Sequence, residues 1–151
     1  NFLRAFQGMT DGFATRASKV DALLKSTEVG FIVVCGPDGT SLHEAGFLLQ
    51  RIERDSLNLD GVLINRMRPR WVEDDDLALL AALPESDKDA STQAVLTYHG
   101  IVGEDERNIE RMMNSLPSGT PIGKVAHFAH SISDLEGLRS YGDMALAQET
   151  F

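Results

Sequence analysis

Residues 30–67 constrain the fold most, because they have the pattern of a strand, a helix and a second strand. The first apolar run, residues 30–35, reads GFIVVC and is closed by the turn sequence GPDG. Such a run is typical of a strand buried on both faces, so we predict that it lies in the middle of a sheet. A second run, residues 62–64, follows the helix. Together they predict a βαβ unit with parallel strands and a right-handed crossover.

The helix between these strands is predicted to begin at Ser41, because Ser41 and Glu44 have the spacing of a capping box. Its apolar side chains recur every three or four residues and should pack on the sheet: Leu42, Ala45, Leu48, Leu49 and Ile52. Ser133 and Glu136 repeat the capping-box spacing before a last helix.

The remaining segments complete an α/β pattern. A helical rhythm over residues 2–25 predicts a helix that lies on the sheet, and the acidic run 73–76 opens another helix. Residues 94–98 are too short to assign, residues 104–113 have a helical pattern, and residues 122–129 contain a third strand. We therefore predict a mostly parallel sheet flanked by helices.

Composition excludes several classes of function. The 151 residues suffice for one domain with a core, and the formal net charge of −9 argues against nucleic acid or an anionic membrane as a partner. No apolar run approaches the roughly 20 residues that a membrane-spanning helix needs. Because Cys35 is the single cysteine, a disulfide framework is excluded and a cytoplasmic location is expected. The chain starts at Asn1 in mid-helix pattern, so we expect it to be a fragment.

Few residues have a pattern that indicates catalysis. The sequence contains neither the phosphate loop G-x-x-x-x-G-K-[ST] nor the dinucleotide turn G-x-G-x-x-G. Cys35 is better explained as a small buried residue at a strand end than as a nucleophile. His127 and His130 lack further metal ligands nearby. We assign no catalytic and no metal residue, and an enzyme centred on Cys35 and the histidines stays an alternative.

Asn65 is the one polar residue whose position indicates binding. It follows the second apolar run, at the carboxyl edge of the predicted sheet, where ligands bind in open α/β folds. Its amide can both donate to and accept from the edge of a purine. The spacing alone is equally compatible with a turn residue.

Several ordered stretches carry a resemblance to a known family. They read GFIVVCGP at 30–37, SLHEA at 41–45 and GVLINR at 61–66, and they resemble the carboxyl-terminal half of ArsA-type anion-transporting ATPases. Relatives of that family deliver tail-anchored membrane proteins. Residues 127–130, followed by 134–138, resemble the family's adenine-side loop and its next helix.

The resemblance implies that residues 1–151 are the carboxyl-terminal portion, a partial domain, of a P-loop NTPase-like fold. The implied cofactor is ATP, with magnesium in the parent protein. Asn65 would hydrogen-bond adenine, Arg66 would flank it, and the backbone near Phe128 and Ala129 would line the base. The family's phosphate loop and switch regions are not in these residues, and Ala126 stands where many relatives have proline.

The implied parent is an ATP hydrolase, often a nucleotide-bridged homodimer, that couples hydrolysis to transport or targeting. Its partners would be the remainder of the parent ATPase and a membrane-protein client or pump subunit. We expect no hydrolysis by the isolated chain, because nothing in it can stabilise charge on the transferring phosphoryl group. The alternative is a non-catalytic interaction or scaffolding domain that has kept the fold.

Overall fold

The computed structural model describes residues 2–129 and 131–146, with side chains from residue 12 onward. Its strands are β1 (Phe31–Cys35), β2 (Leu59–Met67) and β3 (Ile122–Ala126), which form a parallel sheet in the order β1-β2-β3. The α-helices of the described part are α1 (Phe2–Leu24), α2 (Gly39–Arg54), α3 (Asp74–Ala82), α4 (Ala90–Met113) and α5 (Leu135–Leu146), and a short 3-10 helix, Glu85–Asp87, lies between α3 and α4. The α/β class and the parallel pairing of β1 with β2 are confirmed.

The main core lies between one face of the sheet and the helices α2 and α4. Val62 and Ile64 of β2 are 2% and 0% exposed and form its centre. The helices contribute Leu42, Ala45 and Ile52 from α2 and Ile109 and Met112 from α4, and the outer strands contribute Val33, Cys35 and Ile122. Because β2 is the central strand, the residues that follow it are held on a rigid support.

Helix α5 packs on the opposite face of the sheet, over β3. A Cβ atom on Gly123 would lie 2.5 Å from the carbonyl oxygen of Ala145 and 2.8 Å from Cδ1 of Leu63. Glycine therefore allows the backbones of β3 and α5 to approach closely. Just beyond β3, Phe128 stacks on Tyr141 of α5 with 6.4 Å between the ring centroids.

Strand β1 is at the edge of the sheet, so the prediction that it lies in the middle is wrong. Val33 and Cys35 face the core, but Ile32 and Val34 on the other face are 64% and 56% exposed. Within the described residues, only β2 pairs with β1. A continuous apolar run indicates that both faces of a strand favour burial, but it does not indicate whether another element covers each face.

Helix α1 is predicted to lie on the sheet, but over residues 12–24, where side chains are described, it does not pack on it. Phe13, Val20 and Leu23 share one side of the helix and are 62%, 55% and 52% exposed. The turn after the helix is fixed by Asn58, whose Nδ2 donates to the carbonyl oxygens of Ser26 and Val29 at 2.7 and 2.9 Å. These hydrogen bonds attach the turn to the start of β2, and the apolar side chains of α1 before the turn are exposed.

Aspartates begin three helices, and in two of them, α2 and α5, an aspartate takes the place of the predicted serine capping box. Each carboxylate accepts a hydrogen bond from the backbone N–H three residues later: Asp38 from Ser41 at 3.0 Å, Asp89 from Thr92 at 2.7 Å and Asp134 from Gly137 at 2.8 Å. Helix α2 therefore begins before Ser41. A carboxylate is favoured at this position because its negative charge also interacts with the positive end of the helix dipole.

Other helix predictions are corrected in detail. Residues 94–98, left unassigned, and 104–113 belong to the single helix α4. Leu48 is 57% exposed, because it lies at the margin of the stripe through which α2 contacts the core. None of the helices in residues 2–129 and 131–146 combines the length and the apolar composition needed to cross a membrane.

Candidate functional site

Two adjoining clefts open where the three strands end. One, of about 510 Å³, is lined by Asn65, Arg66, Ala126, His127, Phe128, Ala129, Ser131 and Ile132. The other, of about 610 Å³, extends toward the end of β1 and shares Asn65, Arg66 and His127 with the first. Both volumes are typical of small-molecule sites. The four residues that the resemblance implied for adenine therefore line one cleft.

A β-bulge places two of these residues outside the regular ladder. Asn65 and Arg66 of β2 stand opposite the single residue Val125 of β3. Arg66 has φ = 58°, in the left-handed region, which costs a non-glycine residue about 1–2 kcal/mol. Bulges and strained residues of this kind recur next to binding sites.

The amide of Asn65 is oriented by its own backbone. Its Oδ1 accepts a hydrogen bond from the backbone N–H of Arg66 at 2.9 Å. Because a backbone N–H can only donate, the atom that faces it must be the oxygen. The Nδ2 group remains as a donor and Oδ1 keeps a second lone pair, so the amide can pair with an edge that offers one acceptor and one donor.

The loop after β3 forms the opposite wall of the cleft. The backbone N–H of His127 donates to the carbonyl oxygen of Met67 at 2.8 Å, which fixes the start of the loop to the end of β2. Phe128 rests on Tyr141. Sequence reasoning singled out His127 as a metal candidate and as part of the stretch that resembles an adenine-side loop. It missed Tyr141, whose place depends on how α5 returns over β3.

No metal site is found in the described part of the chain, where no three His, Cys, Asp or Glu side chains converge. His130, paired with His127 in the sequence-based metal hypothesis, lies outside the described residues. The lining residues of the two clefts include one carboxylate, Asp38. Its Oδ2 accepts from the Ser41 hydroxyl at 2.7 Å while Oδ1 caps α2. These residues do not fit a magnesium ion, which requires several free oxygen ligands.

Cys35 lies at the end of β1 beside the second cleft, but it is buried. Burial raises the pKa of its thiol, and the neighbouring Asp38 carboxylate raises it further. The reactive thiolate is therefore disfavoured at neutral pH. This environment argues against the alternative of an enzyme centred on Cys35 and the histidines.

Replacing Asp38 with alanine is expected to destabilise the protein by about 1 kcal/mol, the usual effect of losing a helix cap. Hydrogen bonds from the backbone N–H and then the hydroxyl of Ser41 lower the pKa of the Asp38 carboxyl. Its contribution is therefore complete above the unfolded-state pKa, near 4, and is lost as the pH falls through the lower folded-state value. Urea unfolding of both proteins at pH 7 and pH 3 measures this difference.

The control for this cap is Asp38→Asn, which keeps the hydrogen-bond acceptor and removes the titrating group. Its stability should stay near the wild-type value at pH 7. A difference between wild type and Asp38→Ala that is as large at pH 3 as at pH 7 would contradict the assigned role.

Fold and cleft together define the class of this protein as an α/β domain with a ligand-sized cleft at the carboxyl ends of parallel strands. No protein-family model and no curated protein matches the chain. A more specific function is therefore inferred from the residues of the cleft.

Proposed function

We propose that this chain is the adenine-binding portion of an ArsA-like ATPase, a cytoplasmic protein of P-loop NTPase-like fold. One observation carries the proposal. Asn65 and Arg66 at the end of β2, and Phe128 and Ala129 after β3, come from distant parts of the chain and line one cleft. The resemblance implied the same four residues, and the carboxyl edge of a parallel sheet is the usual place for a nucleotide.

In the proposed complex, the Asn65 amide pairs with the edge of adenine through Nδ2 as donor and Oδ1 as acceptor. The planar guanidinium of Arg66 flanks the ring, since such groups stack on aromatic faces. Phe128, supported by Tyr141, provides the apolar wall together with the backbone at Ala129. The bulge and the strained Arg66 support this role, because a site that presents both side chains to a ligand explains why the strain is kept.

The remaining parts of the ATPase are proposed to lie elsewhere in the parent protein. The phosphate loop, the magnesium ligands and the switch regions would come from it, and hydrolysis would be coupled to transport or targeting. Exposed Ile32 and Val34, with the unpaired edge of β1 in the described part of the chain, support continuation of the sheet by the parent. A homodimer bridged by nucleotide would follow from the same family.

Calorimetric titration of the purified chain with adenosine and with ATP tests the proposal. Both ligands are expected to bind weakly and with similar affinity, because the phosphates meet no phosphate loop. Asn65→Ala should weaken binding by about tenfold or more, since it removes a pair of hydrogen bonds in a partly buried site. Asn108→Ala, an asparagine on α4 outside both clefts, is the matched control and should leave the affinity unchanged.

Two results would contradict the proposal. Absence of adenosine binding to the folded chain would remove the adenine site and favour the interaction or scaffolding domain. Equal loss of affinity in Asn65→Ala and Asn108→Ala would place binding elsewhere. Hydrolysis of ATP by the purified chain would separately contradict the assignment of catalysis to the rest of the parent.

A further inference from the structure

Negative charge is concentrated in the segment between β2 and the middle of α4. Residues 68–106 contain ten acidic and three basic side chains, a net charge of −7, whereas the whole chain has −9. The rest of the chain is therefore nearly neutral. This concentration lies beyond the cleft, on the loop after β2, on α3 and on the first half of α4.

An exposed aromatic pair lies in this acidic segment. Trp71 is 71% exposed, and its ring stacks on Tyr98 with 4.4 Å between centroids and 5° between planes. The Tyr98 hydroxyl donates to the carbonyl oxygen of Pro69 at 3.0 Å. Ile101, one helical turn beyond Tyr98, is 43% exposed. One face of the indole is thus held by Tyr98 while the other faces solvent, so little conformational freedom is left to lose on binding.

The basic residues near Trp71 are already paired. Arg70 donates to both carboxylate oxygens of Glu106, at 2.9 and 2.5 Å, and to Asp74 at 2.6 Å. Arg68 donates to the buried Asp105. These ion pairs attach the loop after β2 to α4. They also neutralise the positive charge of both arginines in that loop. Within residues 71–76 and 101–106, which contain Trp71 and Ile101, four acidic side chains have no basic partner among the residues that the structure describes: Glu73, Asp75, Asp76 and Glu104.

We propose that this acidic-aromatic surface, formed by Trp71, Tyr98 and Ile101 with the four unpaired carboxylates, docks a cationic amphipathic segment of another protein. Apolar side chains of the partner would cover the open face of Trp71, and its lysines or arginines would face the carboxylates. Interfaces are commonly built this way, with an aromatic centre and a polar rim. The proposal does not depend on the adenine site.

The negative charge of this surface disfavours other classes of partner. Nucleic acid and anionic lipid carry the same sign and would be repelled. A second copy of this chain would bring either the same acidic surface or the rest of the chain, whose net charge is about −2, so its overall charge complements the surface less well than a cationic segment does. A cationic segment is the partner whose charge complements the surface and speeds encounter.

The only tryptophan of the chain is Trp71, which makes it a direct reporter of docking. The probe is a capped helical peptide of leucine and lysine, with leucine at positions i, i+3, i+4 and i+7. Titration should move the tryptophan emission to shorter wavelength, reduce its quenching by acrylamide and saturate. The affinity should fall as salt is added, because exposed charges are screened.

Fluorescence anisotropy of the labelled peptide compares the variants. Trp71→Ala should weaken binding by about tenfold or more, as expected for a central aromatic anchor. Asp75→Asn combined with Asp76→Asn should weaken binding several-fold and flatten its salt dependence, while the aromatic pair stays intact. Leu135→Ala, which alters an 84% exposed leucine on α5, is the matched control and should bind like wild type.

Four results of the binding experiments would overturn the proposal. These are unchanged affinity in folded Trp71→Ala, equal weakening in Leu135→Ala, equal binding of a peptide with glutamate in place of lysine, and no binding of the lysine peptide. Self-association of the wild type that is lost in Trp71→Ala, measured by sedimentation, would assign the surface to a second copy and would also overturn it.

Discussion

Gly123→Ala is expected to destabilise the protein by about 1–3 kcal/mol, the usual cost of overpacking a tight contact. The added methyl would meet the carbonyl oxygen of Ala145 and Cδ1 of Leu63, and the backbone of α5 would have to move. The matched control is Gly46→Ala in α2, where a Cβ meets no atom within 4 Å. That change should stabilise the protein by about 0.5–1 kcal/mol, because alanine is the better helix former. Urea unfolding followed by circular dichroism measures both.

The same two variants test whether the position of α5 affects ligand binding in the cleft. If α5 moves away from β3, Tyr141 no longer supports Phe128, so adenosine binding should weaken in Gly123→Ala and stay unchanged in Gly46→Ala. Equal stability of Gly123→Ala and wild type would contradict the close packing of α5 on the sheet.

Ile64→Ala is expected to destabilise the protein by about 2–5 kcal/mol, because it leaves a cavity at the centre of the core. Ile64 is completely buried on the central strand. Ile32 is the matched control, since it is the same residue type on the adjacent strand and is 64% exposed. Ile32→Ala should change stability by less than about 1 kcal/mol. Denaturant unfolding of both variants gives the comparison.

A similar loss of stability in Ile32→Ala and Ile64→Ala would contradict the finding that the face of β1 that carries Ile32 is exposed to solvent. In the presence of the rest of the proposed parent, Ile32 would become covered. Its replacement would then weaken association with that part while leaving the isolated chain folded.

Sequence patterns predicted the βαβ unit well because its signals are local. The apolar runs at β1 and β2 and the period of α2 depend on residues close in the chain. The position of β1 in the sheet could not be predicted, because Ile32 and Val34 are apolar whether or not another element covers them. The capping boxes were wrong because serine and aspartate are both favoured cap residues, and Asp38 and Asp134, which lie close to the predicted serines in the chain, occupy the cap positions.

For the candidate site, the sequence indicated residues that lie together in one cleft, and their role in binding stays a prediction, while the geometry of the cleft could not be predicted. Strand ends indicated Asn65, and the resemblance added Arg66, Phe128 and Ala129, which line the same cleft. The bulge and the left-handed backbone of Arg66 carry no sequence signal, because they arise from the pairing of β2 with β3. The acidic run at residues 73–76 has the sequence pattern of a helix start, and α3 begins there. The stacking of Trp71 on Tyr98, which forms the acidic-aromatic surface beside it, joins residues far apart in the chain and has no local sequence signal.

The most direct test of the adenine site is to locate bound adenosine by nuclear magnetic resonance on isotope-labelled protein. We expect the side-chain amide of Asn65 and the backbone amides of Arg66, Phe128 and Ala129 to shift together along one saturation curve. The groove between α2 and α4, around Phe47, should not respond. Shifts centred on that groove, or no shifts at saturating adenosine, would contradict the account.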